Sequence, residues 1–267
     1  ETLPIIVTIS LSYGVIKMSK KNAIMRRVNS VETVGSIDVI ASDKTGTLTQ
    51  NQMTVTKYWV PQNAPAETST IISKDSKEFQ LMRFMGLATD AQVKEVDGQK
   101  VELGDSTELA IIHWLQKAET TRAELEKDYP RIDEDPFDST KKLMATLHKT
   151  PYGKYLLIVK GAIDRLPVQL SANENKQVQS VNKQFARQAL RVLAVGYTLL
   201  DEKPTGPLDA TKIPVKLAGL IGIIDPPRPA AISAIEKAKN AGITTLMITG
   251  DPHLDCNCFC SFRMITC

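Results

Sequence analysis

Asp43 is the residue on which chemistry could centre. It closes an apolar run, residues 37–41 broken only by Asp38, and opens the stretch Asp43-Lys44-Thr45-Gly46-Thr47-Leu48-Thr49. The run reads as a buried strand, and in an open α/β sheet ligands gather beyond the carboxyl ends of the strands. A carboxylate there can attack phosphorus and hold a phosphoryl group as an acyl phosphate, dividing one difficult displacement into two. Thr45, Thr47 and Thr49 offer hydroxyls, and Gly46 lets the backbone turn close to a ligand. The same residues would also suit a threonine-rich turn capping a helix, with Asp43 a spare acid.

The elements that would position such a group follow from periodicity. Residues 50–59 alternate like a strand and are broken by Pro61 and Pro65. Apolar positions recur at helical spacing over 76–89 and 105–117, and Asp105 caps the second helix with Glu108 in its first turn. Residues 119–128 are mostly charged and read as a solvated helix. Strands are expected over 142–149 and 155–159, and a helix over 178–190 leading into Arg191. The Pro- and Gly-rich stretch 201–214 reads as a loop and a second hinge. Residues 215–224 form a strand stopped by Asp225-Pro226-Pro227-Arg228-Pro229. A helix over 230–240 then ends before Gly242, and 244–248 is a further strand. This βαβ-like rhythm matches the sheet type expected around Asp43, so the two flanks should form one domain interrupted by residues 60–214.

Composition narrows the classes of function. A chain of 267 residues can bury one large or two ordinary cores, and two are expected. A hydrophobic fraction of 42% with 24% charged residues is that of an ordinary globular protein. A net charge of +3 and an aromatic fraction of 5%, without Arg/aromatic interleaving, argue against a nucleic-acid partner. Cys256, Cys258, Cys260 and Cys267 are the only cysteines, so the body carries no disulfide framework and reads as intracellular. No apolar run reaches the roughly eighteen residues of a transmembrane helix. No basic stretch precedes the first apolar segment, as a signal peptide would require. Residues 3–16 are nearly all apolar or small and are followed by Lys17, Lys20, Lys21, Arg26 and Arg27. They suit half a membrane span with a basic cytoplasmic flank, or a core helix of a soluble domain.

Asp43 to Thr49, DKTGTLT, resembles the phosphorylation motif of the P-type ATPases, cation pumps that form an aspartyl-phosphate. The resemblance implies that Asp43 is the phosphorylated nucleophile, that Thr45 contacts phosphate and Mg²⁺, and that Lys44 helps neutralise the phosphoryl oxygens. Gly104-Asp105-Ser106-Thr107-Glu108 is similar to the family's Gly-Asp/Glu-x-Thr-Glu box, which implies that Glu108 contacts the adenine amino group; as a plain capping acid it would sit there equally well. Phe137 with Lys141, Lys142 and Met144 resembles Phe-Ser-x-x-Arg-Lys-x-Met, in which Phe137 would stack on adenine and Lys142 reach the phosphates. Ser139 departs from that family pattern, standing where many relatives have arginine. Lys160-Gly161-Ala162 resembles the second nucleotide signature, with Lys160 lining the ATP pocket and Gly161 admitting backbone to the base. Arg191 would be a phosphate contact, a task that suits a guanidinium. Asp225-Pro226-Pro227-Arg228 and Met247-Ile248-Thr249-Gly250-Asp251 are similar to two further motifs. Thr249 and Gly250, with Asp251, would hold the phosphoryl group, and Asp225 and Arg228 would support the domain junction and the nucleotide. Glu1-Thr2-Leu3-Pro4 resembles the end of a Pro-Glu-Gly-Leu-Pro motif, which implies Glu1 as a ligand of the transported cation.

The resemblance therefore implies an α/β fold: a haloacid-dehalogenase-like Rossmannoid phosphorylation domain interrupted by an α+β nucleotide-binding domain, with half a transmembrane helix in front. The expected divisions are 1–16 membrane, 17–36 stalk, 37–59 and 215–251 phosphorylation domain, 60–214 nucleotide domain, and 252–267 an aberrant tail. ATP and Mg²⁺ are the implied cofactors and a cation the cargo. The parent is implied to be an integral membrane protein, residues 17–267 facing the cytoplasm, in the calcium or sodium/potassium group. The family's later Gly-Asp-Gly-x-Asn-Asp motif is not in this sequence, so the fragment is expected to bind ATP without transporting. Two alternatives stand beside this: a non-catalytic nucleotide-binding module, and a soluble phospho-aspartate phosphatase, which Thr45 argues against because such enzymes carry a second Asp there. The Cys-rich tail leaves the family pattern after Asp251 and reads as a lost reading frame or a soft-metal Cys-x-Cys-x-Cys site.

Overall fold

The computed structural model describes residues 3–68, 72–96 and 99–248. Helix α1 (Leu3–Ser19) has no buried residue, and Leu3, Ile5, Ile9 and Tyr13 stand exposed. Among the described residues no helix is long and apolar enough to cross a membrane. The short α2 (Ser30–Gly35) leads to β1 (Val39–Asp43), and a tight turn over Lys44–Leu48 follows.

The bulk of the chain is an antiparallel sheet with helices on both faces. In chain order come β2 (Thr54–Trp59), β3 (Ala66–Glu67), α3 (Lys77–Leu87), the hairpin β4 (Gln92–Val96) and β5 (Gln99–Leu103), α4 (Ser106–Gln116) and α5 (Arg122–Asp128). Next are β6 (Arg131–Asp138), β7 (Leu143–Lys149), β8 (Tyr155–Gly161), α6 (Ala172–Arg187), β9 (Arg191–Leu200) and β10 (Lys216–Ile224). Seven strands pair in the order β3-β2-β10-β9-β8-β7-β6, every neighbour antiparallel. The helices begin where side chains satisfy their free N–H groups. The Ser76 hydroxyl accepts from Phe79 N, the Asp105 carboxylate from Thr107 N, and full capping boxes form at Thr121/Glu124 and Ser171/Glu174.

Strand β7 shows why the sheet is covered twice. Six of its seven residues are buried, so both of its faces need partners. Leu143, Ala145 and Leu147 join Leu157, Ala194 and Leu220 beneath Val178, Val181 and Phe185 of α6. On the other face Ile158, Val195, Ile221 and Ile223 pack with Met82, Met85, Ile111, Trp114 and Leu115 of α3 and α4. Each of the Val, Leu, Ile, Met and Phe side chains among them contributes about 1.5–3 kcal/mol by leaving water.

Flanking this body, β1 pairs in parallel with β11 (Thr244–Ile248), reached from β10 through α7 (Pro229–Asn240). The register runs from Val39 opposite Thr244 to Asp43 opposite Ile248. Only Leu48 and Ile235 are buried in the small cluster here, with Ala231 and Met247 against them.

The helix expected over 178–190 begins six residues earlier and runs Ala172–Arg187, because Ser171 and Glu174 form a capping box there. Three further expectations differ from what is observed. β1 is no buried strand: its residues alternate between exposed and half-exposed, because β11 is its only strand partner among the described residues. The strands expected over 50–59 and 215–224 beside Asp43 pair instead with each other inside the seven-stranded sheet. An apolar run announces a strand but not its neighbours, and Val55, Ile221 and Ile223 are claimed by the layer under α3 and α4. The 201–214 stretch is no free hinge either, since Leu208 and Ala210 are buried in the layer under α6 and Ala210 N donates to Asp135 at 2.9 Å.

Candidate functional site

One cluster forms where β8 and β9 meet the first turn of α4. The Lys160 ammonium donates to Glu108 Oε1 at 2.8 Å and to Thr89 Oγ1 at 3.1 Å. Lys160 is therefore not the solvent-facing residue its place after an apolar run suggests; it lies inside β8 with its side chain 6% exposed. Burial pushes its ammonium below the ordinary lysine range, against the pull of the Glu108 carboxylate. Glu108 Oε2 accepts from the backbone N–H groups of Asp90 and Ala91 at 3.0 and 3.2 Å. Beside it the Arg191 guanidinium donates to Thr107 Oγ1 at 2.6 Å.

The sheet register brings the remaining residues to the same end. Asp138, Leu143, Gly161 and Ala194 form one row across β6, β7, β8 and β9. Phe137 and Lys142 each neighbour a member of that row, and both are exposed, Phe137 at 61%. The Asp138 carboxylate sets the intervening turn by accepting from Thr140 N and Lys141 N, and Lys142 takes a positive φ of 56°. Lys141 is held by Asp135 at 3.2 Å. At Gly161 a Cβ would come within 2.2 Å of the Lys142 carbonyl oxygen, so only glycine lets β8 approach this turn. Lys160 thus joins Glu108 by a hydrogen bond and Arg191 joins the neighbouring Thr107, while Phe137 and Lys142 stand exposed at the same end of the sheet.

A second cluster surrounds the turn after Asp43. Asp43 is exposed at the end of β1. Thr45 lies two residues on, and Gly46 takes a φ of 75°. Thr49 is fully buried, and its hydroxyl lies 2.6 Å from Asp225 Oδ2 and accepts from Gly46 N at 3.2 Å. Asp225 Oδ1 accepts from Gln52 N at 3.1 Å. Arg228 holds the turn by its backbone: Nε donates to Thr49 O at 2.7 Å, a terminal nitrogen to Gly46 O at 3.0 Å, and its own N–H to Leu48 O at 2.8 Å. Asp225 and Arg228 therefore brace the Asp43 turn rather than the Glu108 cluster. Gln52, missed in the sequence, joins these contacts through its backbone N–H, whereas Thr49 carried a signal in lying inside the DKTGTLT stretch.

Glu1, Thr249, Gly250, Asp251 and the four cysteines lie outside the described residues. Among those described, no group of three His, Cys, Asp or Glu could hold a metal ion. Asp43 and Thr45 remain as hard oxygen donors, which fits Mg²⁺, an ion that commonly takes one or two carboxylates and completes its shell with water and phosphate.

The family model described as "P-type ATPase, cytoplasmic domain N" matches residues 79–230, more than half of the chain. The chain belongs to the P-type ATPases. It is 37% identical over 278 residues to a calcium-transporting ATPase of Bacillus subtilis, covering 94% of this chain and 31% of that protein. Against calcium-transporting ATPase 1 of Lactococcus lactis it is 40% identical over 263 residues, covering 94% and 29%. A calcium-transporting ATPase 1 of Saccharomyces cerevisiae is 32% identical over 284 residues, again at 94% and 29%. The chain thus spans about three tenths of the length of the curated relatives it matches. Within this P-type ATPase chain the mixed α/β body agrees with the matched domain, and the match runs through β10, the strand that the structure adds to the large sheet.

Proposed function

We propose that this chain is the nucleotide-binding and phosphoryl-accepting part of an ATP-driven cation pump, with Asp43 the nucleophile. The observation that carries the reading is the Lys160–Glu108 pair, with Arg191 bonded to Thr107 next to it, at the end of the sheet that also carries exposed Phe137 and Lys142. An exposed aromatic ring suits a purine face, and three cations suit a polyphosphate. Glu108 would accept from the base, Lys160 and Gly161 would line the pocket, and Arg191 and Lys142 would meet phosphate. Asp43 and Thr45 would hold Mg²⁺, which when bound neutralises charge on phosphoryl oxygens. Lys44, Thr249, Gly250 and Asp251 complete the proposed phosphoryl site.

In this reading β1, β11 and α7 belong to a haloacid-dehalogenase-like phosphorylation domain, and the seven-stranded sheet with its helices is the nucleotide domain. The boundaries move to residues 49–53 and 225–228, where Thr49, Gln52, Asp225 and Arg228 meet. Residues 3–16 would be the cytoplasmic half of a membrane span, with Glu1 toward the transported ion, and residues 17–267 would face the cytoplasm. The names of the relatives favour calcium as that ion.

The test is incubation with γ-labelled ATP and Mg²⁺, an acid quench and a hydroxylamine challenge, beside Asp43→Asn. Acid-stable, hydroxylamine-labile label absent from Asp43→Asn is the expected result. Label that persists in Asp43→Asn would overturn the assignment of the nucleophile.

A further inference from the structure

We infer that Arg131 is a positioning residue of the nucleotide site, acting through the short segment that joins α3 to β4. The inference rests on the reading of Glu108 as the group that meets the base.

Arg131 opens β6 with its side chain 13% exposed. One terminal nitrogen of its guanidinium donates to Leu87 O at 2.7 Å and to Thr89 O at 2.8 Å. The other donates to Asp90 Oδ1 at 2.6 Å and to Glu134 Oε2 at 2.8 Å. The end of α3 at Leu87 and the following Thr89 and Asp90 are thus gripped by a single planar group. The same segment touches the site: Thr89 Oγ1 accepts from Lys160, and Asp90 N and Ala91 N donate to Glu108 Oε2.

The consequence lies in how Glu108 is aimed. Two backbone donors occupy Oε2 and fix the plane of the carboxylate, leaving Oε1 as the oxygen that accepts from Lys160 and could accept from a ligand. An acceptor fixed in this way favours a base that presents an amino group, as adenine does, over one that presents a carbonyl oxygen, as guanine does. Holding the segment from behind needs donors in two directions at once, which a guanidinium fork provides and a lysine ammonium does not. Arg131 therefore sets base preference without touching the base.

The experiment measures Mg²⁺-ATP and Mg²⁺-GTP dissociation constants of the whole chain by calorimetry, for the wild type, Arg131→Lys, Arg131→Ala, Glu108→Ala and Glu108→Ala/Arg131→Ala. All are held well below the unfolding temperatures shown by circular dichroism, and amide exchange is followed at Asp90 and Ala91. The wild type should prefer ATP. Both Arg131 variants should lose about tenfold of that preference, the size of one hydrogen bond to a charged group, with faster exchange at the two amides. In the Glu108→Ala background, Arg131→Ala should change the preference no further. A merely structural role would weaken ATP and GTP together, and that result would overturn the inference. So would a preference restored by Arg131→Lys, which keeps the charge but not the fork. A wild type that binds ATP and GTP equally would instead remove the reading of Glu108 on which the inference rests.

Discussion

The seven-stranded sheet and the β1–β11 pair are built on opposite terms. The sheet finds both of its covering layers within this chain, so β7 is buried almost from end to end and Phe185, Met82 and Trp114 are closed off from water. The parallel pair carries the proposed nucleophile on an exposed strand end and rests on a cluster with two buried residues, Leu48 and Ile235. Parallel strands ordinarily need both faces covered. What steadies the Asp43 turn is polar instead: the carboxylate of Asp225 and the guanidinium of Arg228, reaching across from the end of the large sheet. The stable body is thus the recognition element, and the reactive turn is held by a few directional bonds.

The contrast can be broken most forcefully in the core. Phe185→Ala should lower the free energy of unfolding of the sheet by about 3–5 kcal/mol, read by urea titration. Leu48→Ala should leave that transition where it is, and an equal shift in both would show that the two regions unfold as one.

A smaller effect belongs to His148, which is fully buried between Tyr129 O and Thr146 Oγ1. Burial pushes its pKa from 6.5 to about 4. The folded state therefore refuses a proton that the unfolded chain accepts. Its contribution is intact above pH 6.5 and drains away as the pH falls toward 4, about 3 kcal/mol in all. His148→Gln should flatten that part of the stability profile of the sheet. An unchanged slope between pH 6.5 and 4 would count against a buried neutral imidazole.

The smallest effect is expected at the junction. Thr49→Val keeps the shape but loses the hydroxyl between Gly46 N and Asp225, a change of about 1 kcal/mol. Amide exchange at Gly46 should quicken while the urea midpoint of the sheet stays put. A moved midpoint would mean that the turn and the sheet share their stability.

Much of this was legible in the residues. Ser76 and Asp105 mark helix starts by side-chain chemistry that needs no tertiary partner, and the bounds 244–248 of β11 follow from its apolar run, whereas apolar spacing announces the helix capped by Ser171 only from 178. The DKTGTLT stretch singled out Asp43 by type and spacing alone. What stayed hidden depends on distant partners. Nothing in residues 54–59 says that they pair with 216–224, and the length of an apolar run does not reveal that Lys160 turns inward to Glu108. Arg131 was invisible for the same reason, since two of its four acceptors are backbone carbonyls, which every sequence possesses, and a third is the carboxylate of distant Asp90.

The antiparallel pairing of β2 with β10 places Thr54 opposite Ile224, so the chain enters and leaves the large sheet at neighbouring positions. Loop-closure entropy rises with length, by about 0.6 kcal/mol for each doubling. Once the sheet has formed, β1 and β11 no longer meet across the whole intervening chain but across two short connections. The order of assembly then has a direction: the long insertion, once folded into its own sheet, acts as a splint that sets the two halves of the reactive region side by side.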